Sequence, residues 1–258
     1  MSLLKGLFNF RALADDEAVK PFLSHLEDLR WMLVKMALTI VAGVVVTFSF
    51  HTQLLIFLQR PLHEIAPDIA SNLQVLGIMD VFSIILKLSF YAGIVLTFPI
   101  LLFYIAQFVM PALTKREKKI VFPIIAVGFF LFLAGVCFAY YFILPKTLAF
   151  FFQLSKDNGF RTIPTATNYF SFVAQMCLAL GAAFEMPVVI FALNFLGVLS
   201  HDLMRRTRVF AIPLLLVLAT VIAPTPDPFT MLSIAVPMYC IYELSIWITW
   251  FTDRRRNG

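Results

Sequence analysis

Charge is scarce in this sequence. Only 14% of its 258 residues are charged, and it holds three cysteines and four histidines. Each scarcity excludes something. With 61% hydrophobic residues and a mean hydropathy of +0.90, the polar surface is too small to cover a soluble globule. Cys137, Cys177 and Cys240 fall in three different apolar runs without paired spacing, so no disulfide framework is indicated. His25, His51, His63 and His201 are scattered, without the i, i+4 or Cys-x-x-Cys companions that a metal needs, and neither a metal site nor a cofactor is expected. A Gly-rich phosphate loop, a serine elbow and a paired-carboxylate motif are all missing, and no nucleophile and base sit together in the apolar runs. An enzyme is therefore not expected. The net charge of +5 reflects topological bias and is no argument for nucleic acid.

What the sequence does have is long apolar runs, and these predict an all-α polytopic membrane protein. A membrane helix needs about 20 mainly apolar residues. Six runs qualify or come close: 31–50, 81–108, 120–144, 169–196, 209–223 and 229–251. Pro99, Pro123, Pro187, Pro213 and Pro237 lie inside them and are expected to bend or open the helices. Fourteen of the twenty lysines and arginines fall in the N-terminal segment, the loops after the second and fourth runs, and the tail, against four on the other side. Positive charge stays in the cytoplasm, so both termini are expected inside. The start, MSLLKGLFNFRALADDE, lacks a signal-peptide core and a small-residue cleavage site, so the first membrane helix is expected to act as the insertion signal. The chain reads as one domain, 1–258, with cytoplasmic tails at 1–21 and 252–258.

The last two spans read as short. Run 209–223 covers roughly 22 Å as helix, and Glu243 divides run 229–251. The turn between them, PTPDP, is tight. The first and third spans are instead followed by long outer loops. The second of these begins PKTLAFFFQLSK, where Leu148, Phe151, Phe152 and Leu154 form an apolar stripe suited to the outer interface.

A few ionisable residues lie inside the runs. Glu185, in LGAAFEMPVVIFAL, sits about 16 Å from the inner end of its helix, too deep to snorkel. A charge there is costly, and such acids usually face a pathway or a polar partner, with a helix tie as the bland alternative. Lys35 and Lys87 lie near helix ends and read as snorkelling. Glu243 divides evenly between structural pairing and function. Glu117, in PALTKREKK, would by itself be a solvated acid among cations.

Four stretches, SHLEDLRWML, FVMPALTKREKK, AAFEMP and PTPDPFTMLSIAVPMYCIYEL, closely resemble the TatC family, the large polytopic subunits of the twin-arginine protein translocase. The resemblance runs from about Phe22 to Phe251 and implies a glove-like bundle with a concave face in the bacterial cytoplasmic (inner) membrane. It implies a receptor for signal peptides with two adjacent arginines, the core of a machine that exports folded proteins on the proton gradient. The expected partners are the single-span proteins TatA and TatB, the lipid bilayer and further copies of the chain in the receptor complex. By the same resemblance Glu117, with Phe108 and Pro111 of the F-x-x-P-A-L pattern, binds the signal peptide together with an acid of the N-terminal segment. Asp28 stands where the family has Glu, and Glu27 precedes it, so both are candidates. Glu185 and Pro187 match an intramembrane Phe-Glu-x-Pro pattern facing the cavity and partner helices. Asp227 and Pro61 match positions of the outer face. Met231 departs from a familiar polar residue.

This chemistry is coherent: a guanidinium takes a carboxylate in a two-bond fork, so acids on separate elements can demand arginines and reject lysines. A competing reading makes Glu185 the carrier acid of a proton-coupled small-molecule transporter. That reading calls for an inverted repeat between the halves, and none is evident.

Overall fold

In hydrocarbon the backbone can bond only to itself, so apolar runs of this length must close as helices. The computed structural model is described for residues 19–110, 118–160, 163–195, 199, 201–222 and 227–257, and helices account for almost all of these. In chain order they are α1 (Val19–Ser49), α2 (His51–Ile65), α3 (Pro67–Ala70), α4 (Asp80–Val109), α5 (Lys118–Phe138), α6 (Leu144–Asp157), α7 (Ala166–Phe184), α8 (Met186–Phe195), α9 (His201–Ile222) and α10 (Pro228–Asn257). A π-helical turn, Ala139–Ile143, joins α5 to α6. Among the described residues, five segments are long and apolar enough to cross a membrane: Leu26–Ser49, Asp80–Val109, Val121–Asp157, Ala166–Asn194 and Pro228–Trp247.

The expected run 209–223 falls in α9, which is 22 residues long because it begins before the apolar part. Arg205, Arg206 and Arg208, expected in a loop, are helical residues. Arginine is a good helix former, and its charge changes where a helix meets water without ending it. Likewise α10 continues past Glu243 to a length of 30 residues. What is short in these two helices is the apolar portion, not the helix.

Close helix crossings use glycine as a spacer. A Cβ at Gly43 of α1 would lie 2.8 Å from the Gly93 carbonyl oxygen of α4, and one at Gly93 would lie 2.8 Å from the Val44 nitrogen. Only small residues let backbones approach this closely, and van der Waals contact then holds the pair. The Thr47 hydroxyl adds a hydrogen bond to the Ser89 carbonyl across the crossing, 2.7 Å. The rest of α1 is largely exposed, with Leu38, Val41 and Val45 pointing away from the protein. By contrast α7 is central: Val173, Met176 and Leu180 are fully buried, packed among α4, α5, α10 and the π-helical turn.

At the outer end, α2 and α6 cap the bundle. The stripe expected on α6 is partly realised. Thr147 and Leu148 are buried and Phe151 and Phe152 half-buried, whereas Leu154 is exposed. The connection before α4 is pinned to the start of α7, where Ala166 donates to the Gln74 carbonyl at 2.8 Å. Pro99, Pro123, Pro213 and Pro237 are accommodated within continuous helices. Only Pro187 accompanies a break, between α7 and α8.

Candidate functional site

The first site lies at the end that the lysine and arginine count assigns to the cytoplasm. Asp28, Trp31, Met32 and Lys35 recur at helical spacing along one face of α1, and Tyr104, Gln107 and Phe108 do the same on α4. The Gly43–Gly93 crossing holds these two faces together, and between them is a recess of about 250 Å³ lined by all seven residues. Asp28 and Phe108, eighty positions apart in sequence, are thus brought into one pocket. Glu27 is exposed and does not line it. Glu117 and Pro111 lie outside the described residues. Trp31, Met32, Lys35, Tyr104 and Gln107 were missed as site residues; the i+3, i+4 and i+7 spacing from Asp28 would have found the first three, and Tyr104 lies four residues before Phe108.

The second site is Glu185. Its segment cannot continue as regular helix because Pro187 has no N–H to donate back to Ala183. The chain turns at Glu185, whose own N–H donates to the Ala182 carbonyl at 3.1 Å and whose carbonyl accepts from Val188 and Val189. The side chain is 8% exposed, and its Oε1 finds no hydrogen-bond donor among the described residues. Gly128 of α5 makes room for it: a Cβ there would lie 3.0 Å from Oε2 and 3.1 Å from Leu102 Cδ1. The carboxyl group therefore sits between α4, α5 and the α7–α8 turn with acceptor capacity unused. Pro187 is buried behind it.

Glu243 is held quite differently. The Arg208 guanidinium of α9 pairs with its Oε2, and the Tyr239 hydroxyl donates to Oε1 at 2.8 Å. Of the two readings open for Glu243, structural pairing is the one realised. The partner lies 35 positions away, on a segment that reads as loop, so local spacing gave no hint of it.

The outer positions have clear local roles. Asp227 caps α10, its Oδ1 accepting from the Thr230 N–H at 2.7 Å. Pro61, expected in a loop, lies inside α2 and is buried. Its missing N–H leaves the Phe57 carbonyl without a helical partner, and the Tyr140 hydroxyl donates to that oxygen at 2.6 Å. The Tyr140 ring also stacks on Phe57, centroids 4.6 Å apart, while the Tyr169 hydroxyl donates to the neighbouring Leu58 carbonyl at 2.7 Å. A proline in the cap is thereby tied to the core through two tyrosines.

Comparison with known proteins gives this arrangement a family. The family model for Sec-independent protein translocase protein (TatC) matches residues 24–237. A Sec-independent protein translocase protein TatC of Akkermansia muciniphila is 46% identical over 176 residues, which is 68% of this chain but only 51% of that protein. The chain thus spans about half the length of that relative. The TatC protein of Listeria innocua is 35% identical over 233 residues, covering 90% of this chain and 92% of its own. A crystal structure of a twin-arginine translocase receptor, TatC, superposes with a TM-score of 0.80 at 29% identity, covering 88% of this chain and 98% of that one. On sequence and on helix arrangement alike, the chain belongs to the TatC family of Sec-independent protein translocase proteins, multi-pass membrane components of protein transport rather than enzymes.

Proposed function

We propose that the chain is the signal-peptide receptor and organising core of a translocase that exports folded proteins across the bacterial cytoplasmic membrane on the proton gradient. It would cross the membrane six times, the apolar part of α9 being the fifth span, with both termini inside. The observation that carries this reading is the recess shared by Asp28 and Phe108. An acid at its rim, with aromatic walls from Trp31, Tyr104 and Phe108, suits a peptide that presents a guanidinium beside apolar residues. Lys35 lies about 10 Å deeper along α1, which leaves the rim itself acidic. Glu117 follows Phe108 by nine residues and supplies the second carboxylate from a separate element. Two acids so separated receive two arginines, and the cations around Glu117 disfavour peptides that lack the match.

Glu185 serves the later step. Its unused acceptor receives a polar group from a single-span partner of the TatA or TatB kind, or holds water that weakens the bilayer locally. The transporter alternative draws no support from a family of protein translocases. The test is photo-crosslinking of a twin-arginine signal peptide to membranes carrying the full chain. Glu117→Ala lowers crosslinking and Glu117→Arg abolishes it; unchanged crosslinking with the charge-reversed chain contradicts the receptor reading.

A further inference from the structure

The outer third of the bundle carries a recess that neither site uses, walled by Val44, Leu86 and Phe90 and by four polar side chains. Lys87 and Tyr91, one turn apart on α4, line a pocket of about 390 Å³ with Ser171 and Gln175, one turn apart on α7. Every polar side chain in its wall can donate a hydrogen bond, and no acid among the described residues lines it. Among the described residues, the Lys87 ammonium has no ion-pair partner, and no hydrogen bond engages the side chains of Tyr91, Ser171 or Gln175. Lys87 lies seven residues from the start of α4, about 10 Å along the helix, which is the depth just below a layer of lipid head groups. Its side chain is exposed and so has the freedom to reach that layer.

Tyr91 also belongs to a second pocket, which reaches from Leu54 and Phe57 of α2 at the outer cap to Leu96 of α4. This groove of about 410 Å³ is apolar, with walls from Leu88, Ala92, Val95, Leu96 and Leu178. Leu96 is 53% exposed, so the groove opens at the protein surface, which at this depth is hydrocarbon. A recess with four donor side chains and, among the described residues, no acid, sharing Tyr91 with an apolar groove, matches one ligand chemistry: a phosphodiester head with an acyl chain attached.

We propose that the two pockets form one binding site for a membrane phospholipid, with its phosphate on Lys87, Ser171 and Gln175 and one acyl chain in the groove below Tyr91. The hydroxyls and amide supply direction, the ammonium supplies charge, and the bilayer supplies the ligand laterally. Snorkelling of Lys87 then has a fixed target instead of a disordered one.

The test is native mass spectrometry of the full chain in detergent, delipidated and titrated with phosphatidylglycerol, with diacylglycerol, and with glycerophosphoglycerol, the head group without chains. One phosphatidylglycerol is expected to bind well above the other two. Lys87→Gln weakens it about tenfold, as loss of a charge-assisted contact should, whereas Lys87→Arg keeps most of it. Ala92→Phe, which fills the groove and leaves the donors alone, also weakens it. Lys156→Gln, an exposed lysine on the same side, leaves binding unchanged. Each variant is checked for a monodisperse elution profile before titration. Equal binding to the parent and Lys87→Gln, equal binding of diacylglycerol, equal binding of the chainless head group, or an equal loss with Lys156→Gln each overturns the proposal.

Discussion

Two glutamates in the membrane-spanning part of this chain, Glu185 and Glu243, have opposite surroundings. Glu243 meets a guanidinium and a tyrosine hydroxyl from its own molecule, so both of its oxygens are engaged. Glu185 is more deeply buried, sits on a break in its helix, and keeps an oxygen without a donor among the described residues. An acid whose needs are met internally ties helices together. An acid whose needs are unmet lowers stability unless something else arrives, and on the reading proposed above that something is a partner group or water. The difference between the two surroundings gives the two acids different expected responses to substitution, which burial alone does not.

Substitution at each acid should break that symmetry in a predictable way. The largest effect is expected at Glu185. Replacing it by Ala removes the unused acceptor, so export of a twin-arginine cargo falls by about tenfold or more, while thermal stability in detergent is unchanged or rises, because an unsatisfied polar group costs about 1–3 kcal/mol. Glu185→Gln tests whether an acceptor suffices or an acid is needed. Parent-like export by both variants under a normal gradient removes the cavity role. Next comes Glu243→Ala, which should lower stability by about 1–2 kcal/mol, the pair being partly exposed, and leaves export intact in proportion to the folded fraction. Chemical or thermal unfolding of the purified chain measures it.

Smaller still is the effect of removing both partners. Arg208→Met with Glu243→Met should recover most of the loss seen in Glu243→Ala, since two apolar side chains can replace a pair without leaving a lone charge. Failure to recover would mean that the pair has a role the packing does not reveal. The mildest expected change is Gly128→Ala, whose methyl group would stand 3.0 Å from the Glu185 carboxylate and displace it slightly. Export should decline less than with Glu185→Ala. An effect as large as that one would assign the loss to the α4–α5 contact instead of to the acid.

Much of this was legible in the sequence, for identifiable reasons. Five of the six apolar runs coincide with helices long and apolar enough to cross a membrane, because hydrocarbon tolerates little else, and the break at Glu185 follows from the missing N–H of Pro187. Asp28 and Phe108 are paired by resemblance to the family, and the structure brings them into one recess. Other features depend on contacts between distant positions. Nothing near Arg208 indicates that it is helical and paired with Glu243, and nothing near Pro61 indicates that Tyr140, on another element, replaces its missing N–H. The short apolar portion of α9 suggested a short helix, since hydropathy reports where the lipid ends and not where the backbone stops being helical. The glycines at 43, 93 and 128 look unremarkable in sequence; their importance lies in what stands opposite them.

The account rests on acids at the inner rim receiving paired arginines. The most direct measurement is the affinity of the detergent-solubilised full chain for two synthetic signal peptides that differ only in Arg-Arg against Lys-Lys. It should be repeated with Asp28→Asn combined with Glu117→Gln. The account predicts that the parent binds the arginine peptide at least about tenfold more tightly, as a two-bond fork should allow, and that the double variant loses this preference. Equal affinity of the parent for both peptides, or a preference that survives loss of both carboxylates, would contradict it.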